Sequence, residues 1–290
     1  MFDELIVATN NEHIGKAVEA DGGTAMKGDS SEVKKIHNLM SSVDPISTRV
    51  VNIIDRRIPI PPRKYESQIR SLYAALGEYD VDRFDVGLNP VSTKMIDPSK
   101  ITNNTGRAWK PWNNRRQFVG RVMDGDWHTS VPSVPEYAKP YPKRFTDMVV
   151  YESFKAHFNN NIKWEDTLLY DRWMENASSD DVHTPSYADS SEVKKRLEYM
   201  DHLYRKIKQD GYKSQLEMAT RGTGYLDAIL NEVNIDIGPM GEPLFVDGRH
   251  RLCIAKLLNI DKIPVFVLVR HREWMSNVKE QGNEETLFEN

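Results

Sequence analysis

The stretch Leu244-Phe-Val-Asp-Gly-Arg-His-Arg251, which continues as LCIAKLLNI, decides the fold. Its apolar start predicts a strand over 244–246, and the periodic apolar residues that follow Asp247-Gly248 predict a helix over 249–258. A second buried strand is predicted at 263–269, where the sequence reads IPVFVLV. This order of strand, turn, helix and strand is typical of an α/β (α+β) protein.

The same stretch carries groups that suit an anion. The start of a helix offers unpaired backbone N–H groups and the positive end of the helix dipole. Gly248 permits close backbone approach, and Arg249, His250 and Arg251 follow in the first turn. A cation near the N-terminus of a helix interacts unfavourably with the helix dipole, at a cost of about 0.3–1 kcal/mol. A bound polyanion would offset this cost. The alternative is a surface turn in which Asp247 caps the helix and the arginines pair with carboxylates.

Upstream of this stretch the patterns predict further helices and strands. The clearest helix is predicted over 190–210, where apolar residues recur at helical spacing and Gly211 follows. A helix is predicted at 145–159 and another after Trp164. A strand is predicted at 232–237, and the turn Gly238-Pro-Met-Gly241 joins it to the strand at 244–246.

Composition limits the function classes. The 290 residues hold 39 Lys+Arg and 43 Asp+Glu, so the basic excess that drives binding to nucleic-acid backbones is missing. The single cysteine, Cys253, excludes an intramolecular disulfide framework and any multi-cysteine metal site, and it indicates a cytoplasmic protein. The apolar run 263–269 is far shorter than the ~20 residues that a membrane-spanning helix needs. The N-terminus does not read as a signal peptide.

The segment FVDGRHRLCIAKLLNIDKIPVFVLVRH, residues 245–271, resembles the signature of ParB/sulfiredoxin-like domains. That fold binds a nucleotide with its phosphates over this helix start. Residues 203–215 are similar to the family's step from helix through glycine to strand, and 91–100 resemble its opening strand. The motif GRVMDGDW at 120–127 resembles an uncharacterised, mainly archaeal and viral branch.

The resemblance and the residues together give the leading hypothesis, which is nucleotide binding with phosphotransfer to a small molecule or nucleotide hydrolysis. Gly248, Arg249 and Arg251 would hold the phosphates of ATP or CTP. His250 and Asp247 would be catalytic. Mg²⁺ would be held by Asp247 or Asp126. Tyr212 and Gln215 either contact the nucleotide or begin a strand.

Differences from better-known ParB/sulfiredoxin-like proteins exclude some of the functions that the resemblance implies. Sulfiredoxins place their catalytic cysteine where this chain has Arg249, and Cys253 lies one turn further on, on the expected core side. The helix-turn-helix module of chromosome-partition proteins has no room in 270–290. Free-serine kinases carry a similar Asp-Gly-His-His-Arg string and a catalytic glutamate upstream, which the sequence does not locate. The alternatives are a non-catalytic binding or assembly protein, viral for example, and, third, ParB-like DNA binding or nicking.

The predicted organisation has three parts. Residues 1–85 form an N-terminal αβ extension, 86–275 the ParB/sulfiredoxin-like domain with an insertion at about 102–190, and 276–290 a mobile tail. The extension, with LIVATNNEHIGKAVEADGGTAM and RVVNIIDRRIPIPP, resembles an incomplete CMP-sugar cytidylyltransferase segment. Asp55-Arg-Arg57 stands where those enzymes carry an acidic metal motif, so their activity does not carry over. Its predicted elements are strands at 5–8 and 49–54 and helices at 10–20, 30–40 and 65–77.

The stretch 102–142 is rich in Asn, Gly, Pro, Trp and Tyr and is predicted to be a long ordered loop region. Within it, Asp124, Asp126 and Trp127 either hold a metal and stack a base or form a turn with a buried tryptophan. The basic pair Arg115-Arg116 is interpreted as solvated. In the assembly alternative, the aromatic residues of this loop form an interface.

Arg251 separates the hypotheses. If it binds phosphate, Arg251→Ala weakens nucleotide binding by about tenfold to a hundredfold, and lysine rescues part of the loss. If it forms an internal ion pair instead, its loss lowers thermal stability and leaves ligand affinity unchanged.

Overall fold

The computed structural model describes residues 6–8, 24–26, 51–52, 55–107, 110–111, 113–131, 141–177 and 190–281. The strands are β1 (Ile6–Ala8), β2 (Thr24–Met26), β3 (Thr93–Ile96), β4 (Asn103–Asn104), β5 (Arg121–Met123), β6 (Val233–Ile237), β7 (Pro243–Asp247) and β8 (Ile263–His271). The helices are α1 (Glu66–Leu76), α2 (Val149–Asn160), α3 (Leu168–Ala177), α4 (Ser190–Asp210), α5 (Gln215–Met218), α6 (Tyr225–Leu230), α7 (Arg249–Leu257) and α8 (Arg272–Gln281).

The described residues belong to two compact units. Unit 1 lies within 1–78 and 219–228, and unit 2 lies within 79–218 and 229–290. The predicted helices at 10–20 and 30–40, residues 178–189 of the predicted insertion and residues 282–290 of the predicted tail lie outside the described residues.

Unit 1 contains the parallel pair β1 and β2 and the helix α1, which ends at Gly77. The strand predicted at 49–54 is wrong where the structure describes it, because residues 51–52 are helical, as are 55–57. Val51 and Asp55 are both buried. The Asp55 carboxylate accepts hydrogen bonds from the hydroxyls of Tyr65 and Tyr73, at 3.0 and 3.1 Å. Packing of this kind overrides the strand preference of a β-branched run.

Unit 2 is built on a six-stranded mixed sheet in the order β3-β8-β6-β7-β4, with β5 also paired to β8. The strand β8 lies in the middle, parallel to β6 and β5 and antiparallel to β3. All residues of β6 and β8 are buried, as expected for strands covered on both faces. The α/β class and the predicted strand, turn, helix, strand order are therefore confirmed.

Helices cover the sheet around the predicted turn. The helix α7 follows β7 directly and packs against α2 and α4. On α4 the buried residues recur at the predicted helical spacing: Val193, Leu197, Met200 and Ile207. These contacts place the start of α7 beside one face of α4.

The structure excludes the strand alternative for Tyr212 and Gln215 and corrects the prediction of a tail that is mobile from 276. No strand follows Gly211, because the helix α5 begins at Gln215. Ser214 and Glu217 start it with a capping box, in which each side chain accepts a hydrogen bond from the other's backbone N–H, at 3.0 and 2.7 Å. The tail predicted to be mobile from 276 is helical through Gln281, since α8 buries Met275 and Val278 against unit 2.

Candidate functional site

A cavity of about 440 Å³ lies in unit 2 at the N-terminus of α7. Most of the predicted site residues line it: Gln215, Asp247, Gly248, Arg249, His250 and Arg251. The opposite wall comes from α4, with Arg196, Tyr199, His202, Leu203 and Lys206. Arg115, Asn231 and Glu232 add further polar groups to the lining.

The turn into α7 requires glycine. Gly248 has a φ of 89°, in the left-handed region. A Cβ at this position would lie 2.9 Å from the Cα of Val233 and 3.2 Å from the carbonyl oxygen of Glu232. The close approach of β6 therefore leaves no space for a side chain.

The N-terminus of α7 has no side-chain cap and no acidic residue in its first turn. Asp247 does not cap the helix, because its Oδ1 accepts from the N–H of Gly248 at 2.7 Å. The first N–H groups of a helix have no partner within the helix. The start of α7 therefore offers donors to an anion in the cavity.

Arg115 contributes to the site although the sequence pattern indicated a solvated residue. Its side chain is only 23% exposed, and its guanidinium lies 2.8 Å from Asp247 Oδ2. It also donates to the carbonyl of Leu230 and, at 3.2 Å, to Asn234 Oδ1. The prediction of a solvated Arg115 is therefore wrong, because these three acceptors, all more than a hundred residues away along the chain, hold it in place.

Arg251 is buried and bonded inside the protein. Its Nε donates to the Tyr212 hydroxyl at 3.0 Å, Nη2 donates to the carbonyl of Lys213, and the guanidinium lies 4.3 Å from the Tyr212 ring centroid. Burial raises the pKa of Tyr212 to about 12, so its hydroxyl stays neutral. Tyr212 thus contacts Arg251 and holds it at the cavity wall.

Glu232 was not found from the sequence. It precedes β6, is 0% exposed, and lies 3.9 Å from Arg251 through Oε2. Burial is the main cause that raises its pKa to about 7, against the opposing effect of Arg251. The only signal in the sequence is its place at the start of the predicted strand 232–237, where polar and apolar residues alternate.

His250 packs among aromatic side chains. Its ring stacks on Phe154 at 5.7 Å and meets Trp173 edge-on at 6.2 Å. Burial, followed by the positive charges of Arg249 and Arg196, holds the pKa of His250 well below its usual range. The imidazole is therefore neutral at pH 7, and it can take up a proton only at a cost.

The predicted magnesium ligands do not come together in a metal site. Both Asp247 oxygens are engaged, one by Gly248 and one by Arg115. Asp126 does not line the cavity, and Trp127 next to it is buried against His271, with ring centroids 5.8 Å apart. In the described parts of the chain, no group of three His, Cys, Asp or Glu residues could hold a metal ion. The turn with a buried tryptophan is therefore the better interpretation of 124–127.

Cys253 is fully buried, and burial raises the pKa of its thiol. A thiol in this state is inert, because the thiolate is the reactive form. This agrees with the expected core-side position of Cys253.

Comparison with known proteins gives no match to a family model, to a curated protein or to a solved structure. None of the helices in the described ranges is both long and apolar enough to cross a membrane.

Proposed function

We propose that unit 2 binds a nucleoside phosphate of the ATP or CTP type, with its phosphates at the N-terminus of α7. The observation that carries this proposal is the charge of the cavity. Five cationic side chains line it, Arg115, Arg196, Lys206, Arg249 and Arg251, against the two carboxylates Glu232 and Asp247. An uncapped helix N-terminus at the same place adds backbone donors.

The wall from α4 suits the remainder of a nucleotide. Tyr199, Met200 and Leu203 place aromatic and apolar surface on the side of the cavity opposite α7. Ligand sites commonly combine such surfaces with a few polar groups that orient the ligand. A base or sugar would pack against Tyr199 and Leu203, while the phosphates would lie between the start of α7 and the cationic Arg196 and Lys206 of α4.

Magnesium would enter only with the ligand. The described residues do not form a metal site, and Mg²⁺ in proteins is often bound mainly by substrate phosphates and water. Nucleotide binding is therefore expected to persist without Mg²⁺. Phosphoryl transfer to a small-molecule acceptor is implied by the resemblance to ParB/sulfiredoxin-like domains, and release of ADP from ATP tests it separately.

Isothermal titration calorimetry with ATP, CTP, ADP and GTP, each with and without Mg²⁺, tests the proposal. We expect saturable binding that weakens as salt is raised, because charge-assisted contacts with phosphate dominate. The proposal is overturned if no nucleotide binds at millimolar concentration.

Lys206→Ala is expected to weaken ATP binding by about tenfold, the loss of one charge-assisted contact. Lys206 is exposed on α4, lines the cavity and makes no ion pair among the described residues, so stability should not change. Lys195→Ala is the matched control, since Lys195 is an exposed lysine on the same helix that does not line the cavity. Equal affinities of the two variants would argue against phosphates near α4.

The alternative of a binding or assembly protein predicts that aromatic residues of the loop 102–142 form an interface, and the structure removes part of the basis for this prediction. Trp127 and Tyr141, two aromatic residues of the loop 102–142, are both buried within unit 2. Trp109 and Trp112 lie outside the described residues. No observation on the described residues favours that alternative over nucleotide binding.

A further inference from the structure

Glu232 is the one buried carboxyl group in the lining of the cavity. Its Oε1 accepts the backbone N–H of Gln215, at the start of α5. Its Oε2 is buried and has no hydrogen-bond partner among the described residues. Buried polar atoms are nearly always paired, so an unpaired carboxyl oxygen of a cavity-lining residue is available to pair with a ligand.

The groups around Glu232 come from three elements. Arg251 on α7 lies 3.9 Å from Oε2, and it favours the ionised carboxylate. Glu217 on α5 opposes ionisation, and Tyr212, in the segment before α5, carries a neutral hydroxyl that is bonded to Arg251. The other charged or titratable side chains in the cavity lining are the paired Arg115 and Asp247, Arg249 and His250 of α7, and Arg196, Tyr199, His202 and Lys206 of α4.

Resting on the proposed function, we propose that protonated Glu232 donates a hydrogen bond from Oε2 to an anionic phosphate oxygen of the ligand, so that binding takes up a proton. A carboxyl group in this role needs one oxygen that accepts from the protein and one that carries the proton and faces the ligand, and the two oxygens of Glu232 differ in this respect. Because Oε1 accepts from the backbone, the proton resides on Oε2, which makes no hydrogen bond with another described residue. Arg251 beside Oε2 attracts the same anionic oxygen.

The ionised form of Glu232 would oppose the ligand. A carboxylate beside a phosphate repels it, and burial strengthens the repulsion. Burial also raises the pKa of Glu232 to about 7, so both forms are populated near neutral pH. The site therefore prefers a phosphate dianion at a pH at which the carboxyl group still holds its proton.

Calorimetric titration of ATP at pH 6 and pH 8 into the wild type and into Glu232→Gln tests the inference. With a pKa of about 7, the competent protonated fraction falls about tenfold between these pH values, and the wild-type affinity should fall by the same factor. Glu232→Gln should bind with little change in affinity between the two pH values, because an amide donates at either pH. Protonation of ATP and of the histidines is common to both proteins, so the difference between them isolates Glu232.

Glu217→Gln is the matched control. Glu217 is exposed, and glutamine also serves in the capping box with Ser214. Because the charge of Glu217 helps to raise the pKa of Glu232, this variant should still lose affinity between pH 6 and pH 8, with the fall shifted toward lower pH. Thermal melts of all three proteins show that each is folded.

The outcomes separate the two proposals. If the wild type binds none of ATP, CTP, ADP and GTP at either pH, the proposed function fails and the inference fails with it; if it binds one of the others and not ATP, that nucleotide replaces ATP in the titration. If it binds equally well at both pH values, or if Glu232→Gln shows the wild-type pH dependence, the inference is overturned and the proposed function stands. Folded Glu232→Gln that binds no ATP at pH 6 also overturns the inference, because the carboxyl group then has another role.

Discussion

Replacing Arg107 with alanine is expected to lower the free energy of unfolding by about 3–5 kcal/mol, the cost of breaking a buried ion pair from one side. Arg107 Nε lies 3.0 Å from Asp236 Oδ2 on β6, and the two side chains are 2% and 0% exposed. Thr105 and the N–H of Val269 complete the bonding of this carboxylate, at 2.8 and 3.2 Å. The variant leaves Asp236 buried without its countercharge, which urea denaturation measures directly.

The pH dependence of this loss has a definite sign. Burial raises the pKa of Asp236, and Arg107 is the main opposing influence. Removing Arg107 raises the pKa of Asp236 further. When a carboxyl group has a higher pKa in the folded than in the unfolded state, the free energy of unfolding falls as the pH rises from the unfolded-state pKa to the folded-state pKa. The deficit of Arg107→Ala should therefore be larger at pH 8 than at pH 5.

Two variants control this experiment. Arg107→Ala combined with Asp236→Asn should be more stable than Arg107→Ala alone, because a neutral amide leaves no charge buried. Arg272→Ala removes an exposed pair with Asp124, at 3.4 Å, and should change stability by no more than about 0.5 kcal/mol. A similar loss for Arg107 and Arg272 would contradict the assignment of a structural ion pair.

The elements around α7 could be predicted because their signals are local. An apolar strand, the turn Asp247-Gly248 and a helix with periodic apolar residues follow one another directly in the sequence. The order of the sheet is not local. The pairing of β3 with β8 and the Arg107–Asp236 bond, 129 residues apart, join segments whose own patterns do not specify a partner.

The residues of the candidate site also fall into those that a local sequence pattern predicts and those that only tertiary contacts bring to the cavity. Asp247, Gly248, Arg249, His250 and Arg251 are consecutive, so a single turn brings them to one cavity. The helix α4 was predicted, but its pattern does not show which of its polar residues meet α7. Lys206 and Arg196 were therefore missed. Arg115 and Glu232 were missed for the same reason, since tertiary contacts alone bring them to the cavity.

Arg251→Ala is expected to lower the free energy of unfolding by about 3 kcal/mol, because two hydrogen bonds from a charged donor are lost. Those bonds join Arg251 to the Tyr212 hydroxyl and to the carbonyl of Lys213. Glu232 reduces the further cost, since with a pKa of about 7 it can take up a proton when the arginine is removed. This geometry favours the internal role of Arg251 over a guanidinium directed only at phosphate.

The melting temperature and the ATP affinity of the same Arg251→Ala sample show whether the arginine has both roles. Its position at the cavity wall predicts a loss of affinity of about tenfold or more in addition to the loss of stability. Tyr212→Phe is the matched variant, because it removes one bond to Arg251 and keeps the ring under the guanidinium. Tyr212→Phe should lower the free energy of unfolding by about 1 kcal/mol and leave ATP affinity unchanged. Unchanged affinity in a destabilised Arg251→Ala protein would restrict this arginine to its internal bonds and leave the phosphates to Arg249, Arg196 and Lys206.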